Sequence, residues 1–70
     1  MVNENAITAN IKRYREQIGL DEDQMAKRLG VKLRVYKMYE SGAKIPGRMV
    51  QHHLADIFGI TTDELMRWSF

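Results

Sequence analysis

Five basic side chains and one acidic side chain lie between residues 32 and 48, with apolar residues among them. The stretch from Gly30 to Pro46 reads GVKLRVYKMYESGAKIP, in which lysine and arginine alternate with bulky apolar groups. Cationic side chains concentrated on a small domain attract polyanions through their charge. A solvated surface helix has the same composition, so the stretch fits either a polyanion partner or a solubilising face.

No other group of residues has a spacing suited to chemistry. The chain has no cysteine, which excludes disulfides and thiolate ligands, and Ser41 and Ser69 have no evident base partner. His52 and His53 are adjacent, and neighbouring side chains on a helix point about 100° apart, so they cannot easily share a metal ion with Asp56. We expect neither an enzyme nor a metal site, and the sequence indicates no cofactor and no small-molecule ligand.

The length of 70 residues predicts one domain, residues 1–70, with a small core. No stretch approaches the roughly 18 apolar residues that cross a bilayer. The first residues, MVNENAITANIKRYR, lack the pattern of a signal peptide. The sequence therefore predicts a cytoplasmic protein without a membrane partner.

Glycines indicate where helices end. Each follows a segment with helical periodicity, at the place where a left-handed residue ends a helix: Gly19, Gly30, Gly42 and Gly59. Four such ends predict five helices. The first three cover about residues 5–18, 22–29 and 33–41, the fourth ends at Gly59, and a short last helix is capped by Thr61 or Thr62.

The periodicity also assigns faces to the helices. In the first helix, the expected core stripe is Ile7, Ile11, Tyr14 and Ile18. The expected solvent side is Lys12, Arg13, Arg15 and Glu16. Asp21 is the predicted N-cap of the second helix, and Tyr36 and Tyr39 are the inward edge of the third. The alternation from Val31 to Tyr36 also fits an edge strand, but a lone strand would have no partner in this chain.

Residues 22–41 have the steric pattern of a helix-turn-helix. Ala26 leaves room for the next helix to cross closely, and Gly30 allows the positive φ of a tight turn. Apolar residues then fill the angle between the two helices: Met25, Leu29, Val31, Tyr36 and Tyr39.

Several separated segments together resemble the Cro/C1-type repressor domain, or Xre family: RYREQIGL, DEDQMAKRLGV, YESGAKIP and LADIFGITTDEL. The resemblance covers about residues 7–66. It implies an all-α, compact five-helix bundle of the lambda-repressor-like class, whose third helix enters the major groove of double-stranded DNA, often as a homodimer. It also implies a cytoplasmic transcriptional regulator of bacterial, phage or plasmid origin, more often a repressor than an activator.

The resemblance assigns roles to individual residues. It places Leu33, Arg34, Lys37 and Met38 at base-reading positions, with Lys32 at the groove entrance. Arg34 is the first choice for direct readout, because its fork pairs with both acceptors of guanine. Lys44 and Arg48 look like phosphate contacts that set the register on the duplex, and Lys32 is assigned a phosphate contact as well.

Two positions depart from the family pattern. The family usually has a glutamine that bonds a phosphate where this chain has Glu22, and a carboxylate there repels phosphate, as do Asp21 and Asp23. Lys32 replaces a common Ser or Thr cap, so the third helix is expected to begin less firmly. Glu22, Asp23 and the apolar Leu33 motivate an alternative function, a helix-turn-helix scaffold that binds proteins, such as an antirepressor or antitoxin-like module.

The last residues, MRWSF, bear on the oligomeric state. Trp68 and Phe70 at an exposed end favour a homodimer through the fifth helix and the tail. Packing of the same aromatics against the first helix is the alternative, and the sequence leaves both open.

Overall fold

The computed structural model describes residues 4–67, and within this range the chain forms five helices and no strand. They are α1 (Glu4–Gln17), α2 (Glu22–Leu29), α3 (Leu33–Ser41), α4 (Arg48–Phe58) and α5 (Thr62–Leu65). The predicted all-α bundle is confirmed, and so are the predicted bounds of α2 and α3. In the described part of the chain, no helix has the length and apolarity needed to cross a membrane. Trp68, Ser69 and Phe70 lie outside the described residues.

The glycines predicted to end helices all have positive φ. At Gly30 the φ is 80°, and its N–H donates to the carbonyls of Ala26 and Lys27 at 2.9 and 3.2 Å. A Cβ at Gly30 would meet no atom within 4 Å, so backbone conformation alone favours glycine here. This left-handed residue turns the chain from α2 towards α3.

The N-termini of the helices fall into two groups. Asp21 and Gln24 form a capping box at α2, with bonds of 2.8 and 2.9 Å, and Thr61 and Glu64 form another at α5. The predicted cap Asp21 is thereby confirmed, and of the two predicted candidates Thr61 and Thr62 it is Thr61 that caps α5. At α3 the N-cap is Lys32, which makes no side-chain capping bond, as the sequence predicts. The start of α3 therefore depends on packing.

The core lies where the five helices converge. Its fully buried large side chains come from every helix: Ile7, Ile11, Met25, Tyr36, Leu54 and Leu65. The rings of Tyr14 and Phe58 stack between α1 and α4 with centroids 5.6 Å apart. The prediction that Ile18 faces the core is wrong, because it follows the last residue of α1 and is 38% exposed.

A buried asparagine joins the two ends of the described chain. The side-chain amide of Asn10, which is 0% exposed, donates to the carbonyls of Leu65 and Arg67 at 2.8 and 2.6 Å. Its carbonyl oxygen accepts from Arg13 Nη2 at 3.2 Å. Asn10 thus holds α5 and the residues after it against α1.

Candidate nucleic-acid interface

Helix α3 is anchored by its two tyrosines. Tyr36 is 0% exposed and Tyr39 5%, and the helix packs against α2 and α1. The predicted inward edge of the helix is therefore confirmed. Because the tyrosines are three residues apart, the opposite side of the same helix must face outward.

Three of the four residues predicted to read bases lie on that outward side. Arg34, Lys37 and Met38 are all exposed, Met38 at 39%. Their spacing of i, i+3 and i+4 puts them on one stripe across successive turns of α3. The stripe, which we call the outward stripe, combines two cationic side chains with a polarisable apolar one.

Leu33 differs from the other three. It is only partly buried, and its side chain packs against the core cluster. Leu33 is predicted to read bases, but part of its side chain packs on the core and only the rest is exposed. As the first residue of α3, it lies between the inward edge and the outward stripe, while the neighbouring Lys32 is exposed.

The predicted phosphate contacts flank a fixed loop. Lys44 and Arg48 are exposed, on the loop after α3 and at the first residue of α4. The N–H of Lys44 donates to the carbonyl of Met38 at 3.2 Å. Pro46 is buried, and its carbonyl accepts from Gln51 Nε2 at 3.0 Å. These bonds fix the backbone of the loop to both helices, and with it the backbone positions of Lys44 and Arg48.

An ion pair with α1 holds α3 on the side away from the outward stripe. Arg15 Nε lies 2.6 Å from Glu40 Oε2, with side-chain exposures of 11% and 8%. Arg15 Nη1 donates to the carbonyl of Leu20 at 2.8 Å, and the Tyr36 hydroxyl donates to Glu40. The expectation that Arg15 faces solvent is wrong, because Glu40 satisfies its charge inside the fold. Periodicity within one helix does not reveal such a partner.

These contacts fix the charge states of the network. The hydrogen bond to Glu40 is the main cause that raises the pKa of Arg15. Burial is the main cause that raises the pKa of Tyr36, and the hydrogen bond to Glu40 adds to it. Arg15 stays charged and Tyr36 stays neutral, so Glu40, the single carboxylate between residues 32 and 48, is compensated by Arg15. The negative charge of Glu40 therefore offsets little of the positive charge on the outward stripe.

Two of the three carboxylates at the start of α2 interact with residues of the same helix. The Asp21 carboxylate accepts the capping bond from the N–H of Gln24. Asp23 lies 3.3 Å from Lys27 Nζ in an exposed i,i+4 pair. Glu22 is partly buried, and its charge contributes to the raised pKa of Arg15. The expected repulsion of a phosphate is reduced at Asp21 and Asp23, and Glu22 is the remaining carboxylate to test.

The adjacent histidines face different surroundings. His52 lines a cleft between α4 and α5, whereas His53 lines one between α2 and α4. Among residues 4–67, no group of three histidine, cysteine or acidic side chains is arranged to hold a metal ion.

The model of the helix-turn-helix domain family matches residues 8–67 of the chain. The chain belongs to this family. The match includes α2, the Gly30 turn and α3, and it agrees with the resemblance to Cro/C1-type domains. The outward stripe thus lies on α3, the second of the two helices of the helix-turn-helix motif.

Two relatives accompany the family match. Over 64 residues the helix-turn-helix domain is 36% identical to the cryptic phage CTXphi transcriptional repressor RstR of Vibrio cholerae serotype O1, covering 90% of this chain and 57% of the relative. It also superimposes on the crystal structure of a transcriptional regulator from Listeria innocua with a TM-score of 0.80 and 30% identity. That match covers 91% of this chain and 60% of the regulator. The chain therefore spans somewhat more than half the length of either relative.

Proposed function

We propose that this helix-turn-helix domain is a sequence-specific, double-stranded DNA-binding transcriptional regulator that reads the major groove with α3. The observation that carries the proposal is the outward stripe, which is exposed on a helix whose opposite side is buried through Tyr36 and Tyr39. A major groove admits one α-helix, and a helix held rigidly on one side presents its other side to base edges.

The chemistry of the stripe fits that groove. Arg34 pairs with both acceptors of guanine, and Lys37 offers a more flexible donor to the same edge. Met38 and the exposed part of Leu33 provide apolar contact to thymine methyl groups. Lys32, Lys44 and Arg48 neutralise backbone phosphates around the stripe and set its register.

The names of the two relatives support a regulatory role, and the phage relative's name supports repression. In this proposal residues 1–70 act as one DNA-binding domain in the cytoplasm, and occupancy of an operator blocks polymerase. Two copies bind a two-fold symmetric site. Sedimentation that finds only monomer at the concentrations that saturate DNA would exclude a preformed homodimer.

The alternative, a scaffold that binds proteins, has less support. Its motives were the acidic start of α2 and the apolar Leu33. Asp23 pairs with Lys27 and Leu33 is packed in part against the core, so of these motives Glu22 is the one that still supports the scaffold. We therefore favour DNA.

A salt titration tests the proposal. The affinity of the full chain for a random-sequence duplex is measured by fluorescence anisotropy between about 50 and 200 mM salt. A groove binder with several phosphate contacts loses affinity with a log-log slope of about −0.9 per contact. A slope near zero, or no binding, would favour the protein-binding scaffold.

A further inference from the structure

The two histidines of α4 line clefts of different composition. The first, which we call the Arg48 cleft, is formed by Arg48, Gln51, His52, Thr62 and Met66. The second, the Arg28 cleft, is formed by Arg28, Leu29, His53, Asp56 and Ile57. Of these lining residues, the Arg48 cleft has a cation and no carboxylate, whereas the Arg28 cleft contains Asp56. The two clefts therefore present different electrostatic surroundings to two neighbouring imidazoles.

The polar side chains that line the Arg48 cleft come from two helices. Arg48 is the first residue of α4 and His52 lies one turn later, so both side chains lie on one face of the helix. Thr62, the first residue of α5, adds a hydroxyl from the opposite wall. Gln51 is held in place by its bond to the carbonyl of Pro46. The cleft has a volume of about 620 Å³, which accommodates a phosphate group.

We propose that the Arg48 cleft receives a phosphate of the DNA backbone, with His52 and Thr62 as donors beside Arg48. The inference rests on the proposed function and deepens it, because it extends a contact assigned to one arginine into a site with three donors. An arginine fork, an imidazole N–H and a hydroxyl are all good partners for phosphate oxygens.

The nearby carboxylates stand outside this donor set. Asp56 lies one turn beyond His52 but lines the Arg28 cleft. Glu64 is engaged in the capping box with Thr61. Asp63 follows Thr62 in the first turn of α5 and is exposed, and it does not line the cleft.

The adjacent histidines supply a matched test with equal net charge. His52→Glu and His53→Glu are compared, as are His52→Arg and His53→Arg, for affinity to the random-sequence duplex over the same salt range. We expect His52→Glu to weaken binding about tenfold at about 0.1 M salt, and His52→Arg to steepen the log-log slope by about 0.9. Both substitutions at His53 should change affinity less than about twofold.

Equal effects at the two positions would overturn the site, because net charge alone would then explain them. That result, together with a steep slope for the unmodified chain, leaves the proposed function standing. A flat slope for the unmodified chain would instead refute DNA binding itself, and the site with it. Circular dichroism verifies that each variant folds. If His52→Glu does not fold, the comparison of His52→Arg with His53→Arg decides whether the site exists.

Discussion

Arg15 of α1 and Glu40 of α3 form a two-pronged ion pair across 25 residues of sequence. Arg15 Nε and Nη2 lie 2.6 and 3.3 Å from the two carboxylate oxygens. The pair connects the helix that carries the outward stripe to α1 on its buried side. The orientation of the proposed reading helix therefore depends on an ion pair that lies away from the outward stripe.

Replacing Arg15 with methionine should destabilise the domain strongly. The Glu40 carboxylate, with 8% side-chain exposure, would lose its cation, and breaking a buried pair in this way costs about 3 to 5 kcal/mol. Urea unfolding of Arg15→Met, Glu40→Met and the double variant measures the coupling. We expect the double variant to lose less free energy of unfolding than the sum of the single variants. Additive losses would mean that the two side chains do not interact.

Stability should fall at alkaline pH because of Tyr36. Burial and the bond to Glu40 raise the pKa of Tyr36 above its ordinary value of 10.0. Below that pH both folded and unfolded chains keep the hydroxyl neutral, and this contribution to stability is fully present. Above it only the unfolded chain ionises, so the free energy of unfolding falls by about 1.4 kcal/mol per pH unit. Chemical denaturation at a series of pH values from 8 to about 11 measures this loss.

The Tyr36→Phe variant is the control for the alkaline prediction. It removes the titrating hydroxyl and keeps the ring in the core, so its stability should decline less steeply above the ordinary tyrosine pKa. The two chains are otherwise identical, so the difference between their slopes isolates the hydroxyl of Tyr36. Identical slopes for the two chains would show that Tyr36 is not responsible.

Local signals in the sequence predict most of the fold. Helix ends follow from Gly30 and its counterparts, and caps follow from Asp21 and Thr61, because these effects act within a few residues. The exposure of Arg34 and Lys37 follows from the spacing of the tyrosines on the same helix. These features depend on interactions between residues that are close in sequence, so the local sequence is enough to predict them.

Long-range partners account for what sequence reasoning missed. Arg15 lies among solvent-facing residues by periodicity, and its burial depends on Glu40, which is 25 residues away. Asn10 bonds to Leu65 across 55 residues, and no local pattern distinguishes it from a surface asparagine. Leu33 borders both faces of α3, so its partial burial depends on how closely the neighbouring core approaches. The roles of individual side chains in the interface stay predictions.

Glu22→Gln should strengthen DNA binding. The resemblance implies a phosphate-bonding glutamine at this position, and a carboxylate near a phosphate adds repulsion of about 1 kcal/mol at 4 Å in water, roughly fivefold in affinity. Asp56→Asn makes the same change of charge on α4 and is the control. We expect duplex affinity to rise for Glu22→Gln and to stay nearly constant for Asp56→Asn. No gain at Glu22 would show that no phosphate approaches the start of α2.

Arg34→Ala and Lys44→Ala should change DNA binding in different ways. Arg34 lies on the outward stripe, so its loss should relax the base preference at one position by about 1 to 3 kcal/mol. Lys44 lies on the loop beside the stripe, so its loss should weaken all sequences alike and reduce the salt slope by about 0.9. Selection from random duplexes determines the preferred site, and titrations of that site and its single-base variants then compare the two proteins. Because both side chains are exposed, neither substitution should alter folding appreciably. If both variants lose affinity uniformly, Arg34 contacts the backbone and the outward stripe does not read bases through it.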